Sequence, residues 1–143
     1  RTGQHVGVDF IDLWQVQRWS DEVPFEETLS ALDFAVSSGR VAYAGISNYN
    51  GWQTARAATW QEANHSRVRL ASTQVEYSLL NRDPEHDVLA AASACGMGVL
   101  AWSPLGRGAL TGKYQHSIPG DSRGADDELA AFIAPYLASA QHP

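Results

Sequence analysis

The residues that could do chemistry gather where apolar runs of the sequence end: Gln17, then Ser47 and Asn48, then Gln74 and Glu76, then Trp102 and Ser103. Short hydroxyl and amide side chains such as Ser47 and Asn48 can orient a neutral amide, and the flat indole of Trp102 can present one face to a planar ring. Gln17 can donate a hydrogen bond to a carbonyl but cannot titrate or relay a proton near neutral pH. After Trp102, the run Ser103-Pro104-Leu105-Gly106-Arg107-Gly108 brings glycines that let backbone N–H groups approach a phosphate, a feature equally common in surface turns. Each of these residues also has a plainer reading. Ser47 and Asn48 are good helix caps, Gln74 suits a satisfied polar interior, Trp102 suits packing, and Arg107 suits either a phosphate or solvent.

Other chemistry is poorly supplied. Cys95 is the one cysteine, so no internal disulfide forms, and it reads as a small apolar residue near a helix end. His5, His65, His86, His116 and His142 are scattered, so no metal site is expected. The net charge is −6 and the ten basic residues form no stripe, which argues against nucleic acid. No apolar run approaches the roughly 20 residues of a membrane span, and no signal peptide is evident, so a cytoplasmic location is expected. With Arg1 first and Met97 the only methionine, further sequence is expected upstream. The apolar run at 129–137 starts a helix without finishing a layer, so further sequence is expected downstream too.

The elements that position these residues repeat. Residues 8–16 are apolar on both alternating faces, as in a parallel strand covered on both sides. Pro24 then opens a helix carrying Phe25, Leu29, Leu32 and Val36 on one face and stopping at Gly39. A strand over 41–47 and a helix over 51–63 follow, the latter with Trp52 and Ala55 beginning its buried side. Next come a strand over 70–76, a helix opened by Asp83-Pro84 and ended by Gly96 or Gly98, and a strand over 99–102. Strand starts at Val8, Val41, Leu70 and Val99 recur about every 30 residues, the length of a βαβ unit. The fold class is α/β. An open doubly wound sheet fits 143 residues better than a closed barrel of about 250. Against it, no Gly-x-Gly-x-x-Gly follows the first strand, whereas polar residues at every strand's C-terminal end suit the mouth of a (β/α)8 barrel.

At this point the sequence resembles the aldo-keto reductases, in the branch of bacterial enzymes and potassium-channel β subunits. The resemblance rests on Asp9-Phe-Ile-Asp-Leu-Trp-Gln-Val-Gln17, Gly39-Arg-Val-Ala-Tyr-Ala-Gly-Ile-Ser-Asn48, Gln74-Val-Glu-Tyr-Ser-Leu-Leu80 and Trp102-Ser-Pro-Leu-Gly-Arg-Gly-Ala-Leu-Thr-Gly-Lys-Tyr114, in family order and spacing. It implies one incomplete aldo-keto reductase domain over 1–143, a partial (β/α)8 TIM barrel of about four βα units forming strands four to seven. It further implies an NADP(H)-dependent oxidoreductase acting on small aldehydes or ketones. Ser47, Asn48 and Gln74 would hydrogen-bond the nicotinamide carboxamide and Trp102 would stack on the ring. Ser103, Pro104, Leu105, Gly106, Arg107 and Gly108 would pass the pyrophosphate. Trp19 is a candidate wall of the substrate mouth.

The family's Asp, Tyr, Lys and His tetrad is not reproduced here: the first three belong to segments before strand four, and Gln17 stands at the His position. The chain alone is therefore expected to be inactive, aggregation-prone through its open strand edges, or assembled with a complementary barrel fragment or a second copy. The competing functional class is an NADPH-binding regulatory or adaptor protein with little turnover.

Overall fold

The computed structural model describes residues 7–114, 116–125 and 127–140. His5 and His142 lie outside them. Chain contacts divide the protein into two compact units, one of Arg1–Val75 with Pro84–Leu100 and one of Glu76–Asp83 with Ala101–Pro143.

The first unit is built by the strand-helix repeat. Strand β1 (Ile11–Val16) leads to helix α1 (Phe25–Ser37), β2 (Val41–Ser47) to α2 (Gly51–Glu62), and β3 (Leu70–Glu76) through a 3-10 turn (Asp83–Glu85) to α3 (Val88–Ala94). Strand β4 (Gly98–Trp102) completes a sheet in the order β1-β2-β3-β4. The β1–β2 and β2–β3 pairs are parallel. Pro24 is the N-cap of α1 rather than its first helical residue, with φ −52°. Glu26 and Glu27 in the first turn meet the positive end of the helix dipole. Gly39 ends the helix at φ 73°, a conformation glycine adopts without steric cost.

Register decides between the two architectures. Trp14 pairs with Ala44 and Val16 with Ile46, so these four share one sheet face. Against that face lie Phe25, Leu29 and Leu32 of α1, Ala57 and Ala58 of α2, and Ala92 of α3, forming one core. All three helices therefore cover the same side of the sheet, and the strands run in sequential order. A doubly wound sheet puts helices on both faces and reverses strand order at a switch point. Helices on one side of consecutive parallel strands are the arrangement of a (β/α)8 barrel wall.

The opposite face is polar near its middle. Gln15 pairs with Gly45, and Gly45 with Ser72, past a register shift between Ala44 and Gly45. Gln15 Nε2 donates to Ser72 Oγ at 3.1 Å and to the Ile46 carbonyl at 3.3 Å. A methyl group at Gly45 would stand 2.6 Å from Ser72 Oγ and 2.9 Å from the Ser72 carbonyl oxygen, so only glycine fits this layer.

Three local expectations are corrected. Strand β1 begins at Ile11, not residue 8, because Ile11 already pairs with Val41, the first residue of β2. Asp83-Pro84 forms a separate 3-10 turn, and α3 begins only at Val88 because Asp87 turns its carboxylate to the Gly51 N–H at 2.7 Å. The buried face of α2 is Gly51, Thr54, Ala57, Ala58 and Gln61. Trp52 is exposed and sits edge-on to Trp19, while the buried face is mostly of small residues, with Gln61 at its end. Cys95 follows the last turn of α3, half-buried and unbonded to any other sulfur.

In the second unit, α4 (Asp127–Ala140) extends beyond the expected run at 129–137 and packs on the 3-10 segments Gly106–Thr111 and Arg123–Ala125. Ile133, Ala109 and Tyr114 are its buried apolar residues. No described helix is long and apolar enough to cross a membrane.

Candidate functional site

In the first unit, Ser47 and Gln74 are directly paired across β2 and β3. Ser47 Oγ donates to the Gln74 carbonyl at 2.9 Å, and the Asn48 N–H donates to the same oxygen at 2.8 Å. Asn48 has φ 55°, which turns the chain at the strand end and sends Nδ2 to the Gln17 carbonyl at 2.9 Å. Gln17, Ser47, Asn48 and Gln74 are thus tied together at the C-terminal ends of three strands. The Gln17 side chain is exposed, and its backbone carbonyl is what the cluster uses.

Neither Ser47 nor Asn48 caps the following helix. Asn50 does, in a full capping box: its side chain accepts from the Gln53 N–H at 2.9 Å, and the Gln53 side chain accepts from the Asn50 N–H at 3.0 Å. With the capping duty met elsewhere, the plainer reading of Ser47 and Asn48 loses its basis. The Gln74 side-chain amide makes no hydrogen bond to a described residue, so one donor group and one acceptor stand open beside a fixed hydroxyl. Such a neutral donor and acceptor set matches a primary carboxamide.

Trp19 is placed by packing. Its ring stacks on Phe25 at 5.5 Å and meets Tyr49 and Trp52 edge-on at 5.3 and 5.4 Å, while its indole N–H donates to Asp21 at 2.8 Å. Burial pushes the Tyr49 hydroxyl pKa above its ordinary value.

In the second unit, residues 102–108 form a tight, left-handed turn sequence. Trp102 accepts the Tyr77 N–H at 3.3 Å on its carbonyl, Ser103 has φ 50°, and Gly106, Arg107 and Gly108 have φ 56°, 55° and 97°. Pro104 and Leu105 are exposed. The Gly106 N–H donates to Ser103 and the Gly108 N–H to Leu105, at 2.9 and 3.1 Å, so these two amides close the turn. A methyl group on Gly106 would stand 2.8 Å from Leu80 Cδ1, so that side chain would have to shift, and the positive φ already favours glycine there.

Arg107 is largely buried rather than solvated. Its Nε and Nη2 donate to the two Glu76 carboxylate oxygens at 2.7 and 2.6 Å, with both side chains largely buried, at 13% and 14% exposure. Nη1 donates to the Phe132 carbonyl, and the guanidinium lies 3.2 Å from the Phe132 ring centroid and 4.6 Å from that of Tyr136. Burial, then the hydrogen bond to Glu76, raise the Tyr136 hydroxyl pKa. Sequence reading missed Glu76 as a partner, although it noted its place at a strand end.

Among the described residues, the non-glycine positions with positive φ are Asn48, Ser103 and Arg107. Backbone held in this costly region clusters at functional sites. All three were singled out from sequence as site residues.

Comparison with known proteins agrees with the fold. The profile of the Aldo/keto reductase family matches residues 1–141. The uncharacterized oxidoreductase YrpG of Bacillus subtilis (strain 168) is 42% identical over 113 residues, covering 78% of this chain and 34% of the relative. L-glyceraldehyde 3-phosphate reductase of Escherichia coli (strain K12) is 36% identical over 121 residues, covering 84% and 34%. A probable voltage-gated potassium channel subunit beta of Oryza sativa subsp. japonica is 35% identical over 123 residues, covering 84% and 37%. The crystal structure of the thermostable aldo-keto reductase Tm1743 with the inhibitor epalrestat superposes with a TM-score of 0.65 at 32% identity, covering 73% of this chain and 36% of that one. The chain thus spans about a third of the length of the curated relatives it matches. From its sequence, its one-sided parallel sheet and these likenesses together, the chain belongs to the aldo/keto reductase family, with the fold of part of a (β/α)8 barrel.

Proposed function

We propose that the chain supplies the nicotinamide side of an NADP(H) site in an oxidoreductase that reduces small aldehydes or ketones, both units belonging to one aldo-keto reductase domain. The observation that carries this reading is the bonded group of Ser47, Asn48 and Gln74, fixed at the strand ends with no role in helix capping. In the first unit, Ser47, Asn48 and Gln74 would hold the carboxamide; for Trp102, in the second unit, the family resemblance implies a ring-stacking role. Residues 103–108 would pass the pyrophosphate with the N–H groups and the Ser103 hydroxyl that the turn does not itself use. When bound, the reduced cofactor supplies the hydride for the carbonyl carbon.

Gln17 takes the place of the family's histidine. Its amide can donate a hydrogen bond to a substrate carbonyl and orient it, without moving a proton. By the family resemblance the Asp, Tyr and Lys belong to segments before strand four of the barrel, so these residues alone are expected to bind without turnover. Further strands of the barrel would pair with the outer edges of β1 and β4, whether from the same chain, a complementary fragment or a second copy. A cytoplasmic protein is the setting this reading favours.

Gln17 and the likeness to a channel β subunit support a second reading, an NADPH-binding regulatory or adaptor protein with little turnover. Steady-state oxidation of NADPH by the full-length protein, across a broad panel of aldehydes and ketones, separates the two. The first reading expects saturable turnover with at least one class of carbonyl. NADPH binding with no turnover anywhere in the panel would favour the adaptor.

A further inference from the structure

The Arg107 side chain is held by the Glu76 carboxylate and by both the carbonyl and the ring of Phe132. Its backbone has φ 55°, between two glycines that are also left-handed. A non-glycine residue persists in that region only when its surroundings over-determine it. Glu76 supplies the strongest constraint, because a bidentate guanidinium–carboxylate pair fixes both distance and plane. The pair is neutral overall, so its charge offers little net attraction to a phosphate.

We propose that Glu76 and Arg107 are a positioning pair that sets the shape of the 103–108 turn, and that the Arg107 guanidinium is its clamp and not a phosphate ligand. This rests on the reading of that turn as the pyrophosphate-binding segment. Glu76 leaves the end of β3, and Arg107 grips both it and the Phe132 carbonyl of α4, so the turn is held from two elements. The shape so fixed decides which of the turn's N–H groups face outward.

Two variants separate a clamp from a ligand. Glu76→Gln removes the carboxylate charge and leaves Arg107 in place. Arg107→Lys keeps the positive charge but loses the planar fork. A clamp expects each variant to raise the NADPH KM about tenfold or more with kcat little changed. Hydrogen exchange measured without cofactor should also rise in residues 103–111. A phosphate ligand expects the reverse pattern: Glu76→Gln frees the guanidinium and lowers the KM, with a steeper salt dependence, while Arg107→Lys stays near the parent. Unchanged exchange in both variants, or a lowered KM in Glu76→Gln, overturns the proposal. If exchange rises but the parent protein binds no NADPH, the clamp stands and the cofactor reading fails.

Discussion

Histidine in place of Gln17 is expected to raise the rate at which the full-length protein reduces an aldehyde with NADPH, by about a hundredfold, the lower range for a positioned acid–base group. Gln17 directly follows β1, and its carbonyl is fixed by Asn48 Nδ2 at 2.9 Å, so its backbone does not depend on which side chain it carries. The side chain is exposed, which leaves room for an imidazole. An amide can orient a carbonyl but cannot titrate, whereas imidazole changes charge near pH ~6.5. The gain should therefore vary with pH around that value, and the parent should lack this component. Stopped assays of kcat from pH 5.5 to 8.5 check it. A parent already fast and unaffected by Gln17→His would remove the case for an impaired catalyst.

Valine at Gly45 is expected to destabilise the chain by about 3 kcal/mol, the upper range for overpacking a tight interior. The added Cβ would meet Ser72 Oγ at 2.6 Å, the Ser72 carbonyl oxygen at 2.9 Å and Gln15 Cγ at 3.0 Å. A rotamer change at Ser72 relieves the first contact only, because a backbone oxygen cannot swing away. The strain also reaches the proposed site, since Ser47 lies two residues further on the same face and its hydroxyl donates to the Gln74 carbonyl. Urea unfolding monitored by fluorescence checks the magnitude. Combining Gly45→Ala with Ser72→Ala should recover part of the loss relative to Gly45→Ala alone, and full recovery would show that the backbone contact is not the obstacle.

The strand repeat was legible because parallel strands leave near-continuous apolar runs, joined by amphipathic helices, about every 30 residues. Its barrel character was legible only indirectly, from polar strand ends and the missing glycine fingerprint. The side of the sheet on which each helix lies is a tertiary fact, visible once Trp14, Val16, Ala44 and Ile46 are seen to share one core with α1, α2 and α3. Trp52 misled because hydrophobicity marks it as core, while close helix packing selected Gly51, Ala57 and Ala58 instead. The interruption before α3 was hidden because it depends on Asp87 reaching Gly51, 36 positions away. Arg107 shows the same limit. Glu76 stood out at a strand end and Arg107 in the glycine-containing run after Trp102, but an ion pair across 31 positions leaves no local trace.

The placement of Ser47, Asn48 and Gln74 was legible from strand-end position, and their mutual bonding was not. Asn48 takes its left-handed conformation from tertiary bonds to Gln74 and Gln17, consistent with asparagine's tolerance of that region.

The central claim, that these strand ends hold the nicotinamide end of NADP(H), is tested most directly by equilibrium titration of the full-length protein with NADPH, following tryptophan quenching. The expected result is saturable binding that Gln74→Ala weakens about tenfold, the cost of roughly one good hydrogen bond, while Arg69→Ala, on an exposed side chain, leaves it unchanged. Gln74→Ala binding as tightly as the parent, or a parent that binds no NADPH, would contradict it.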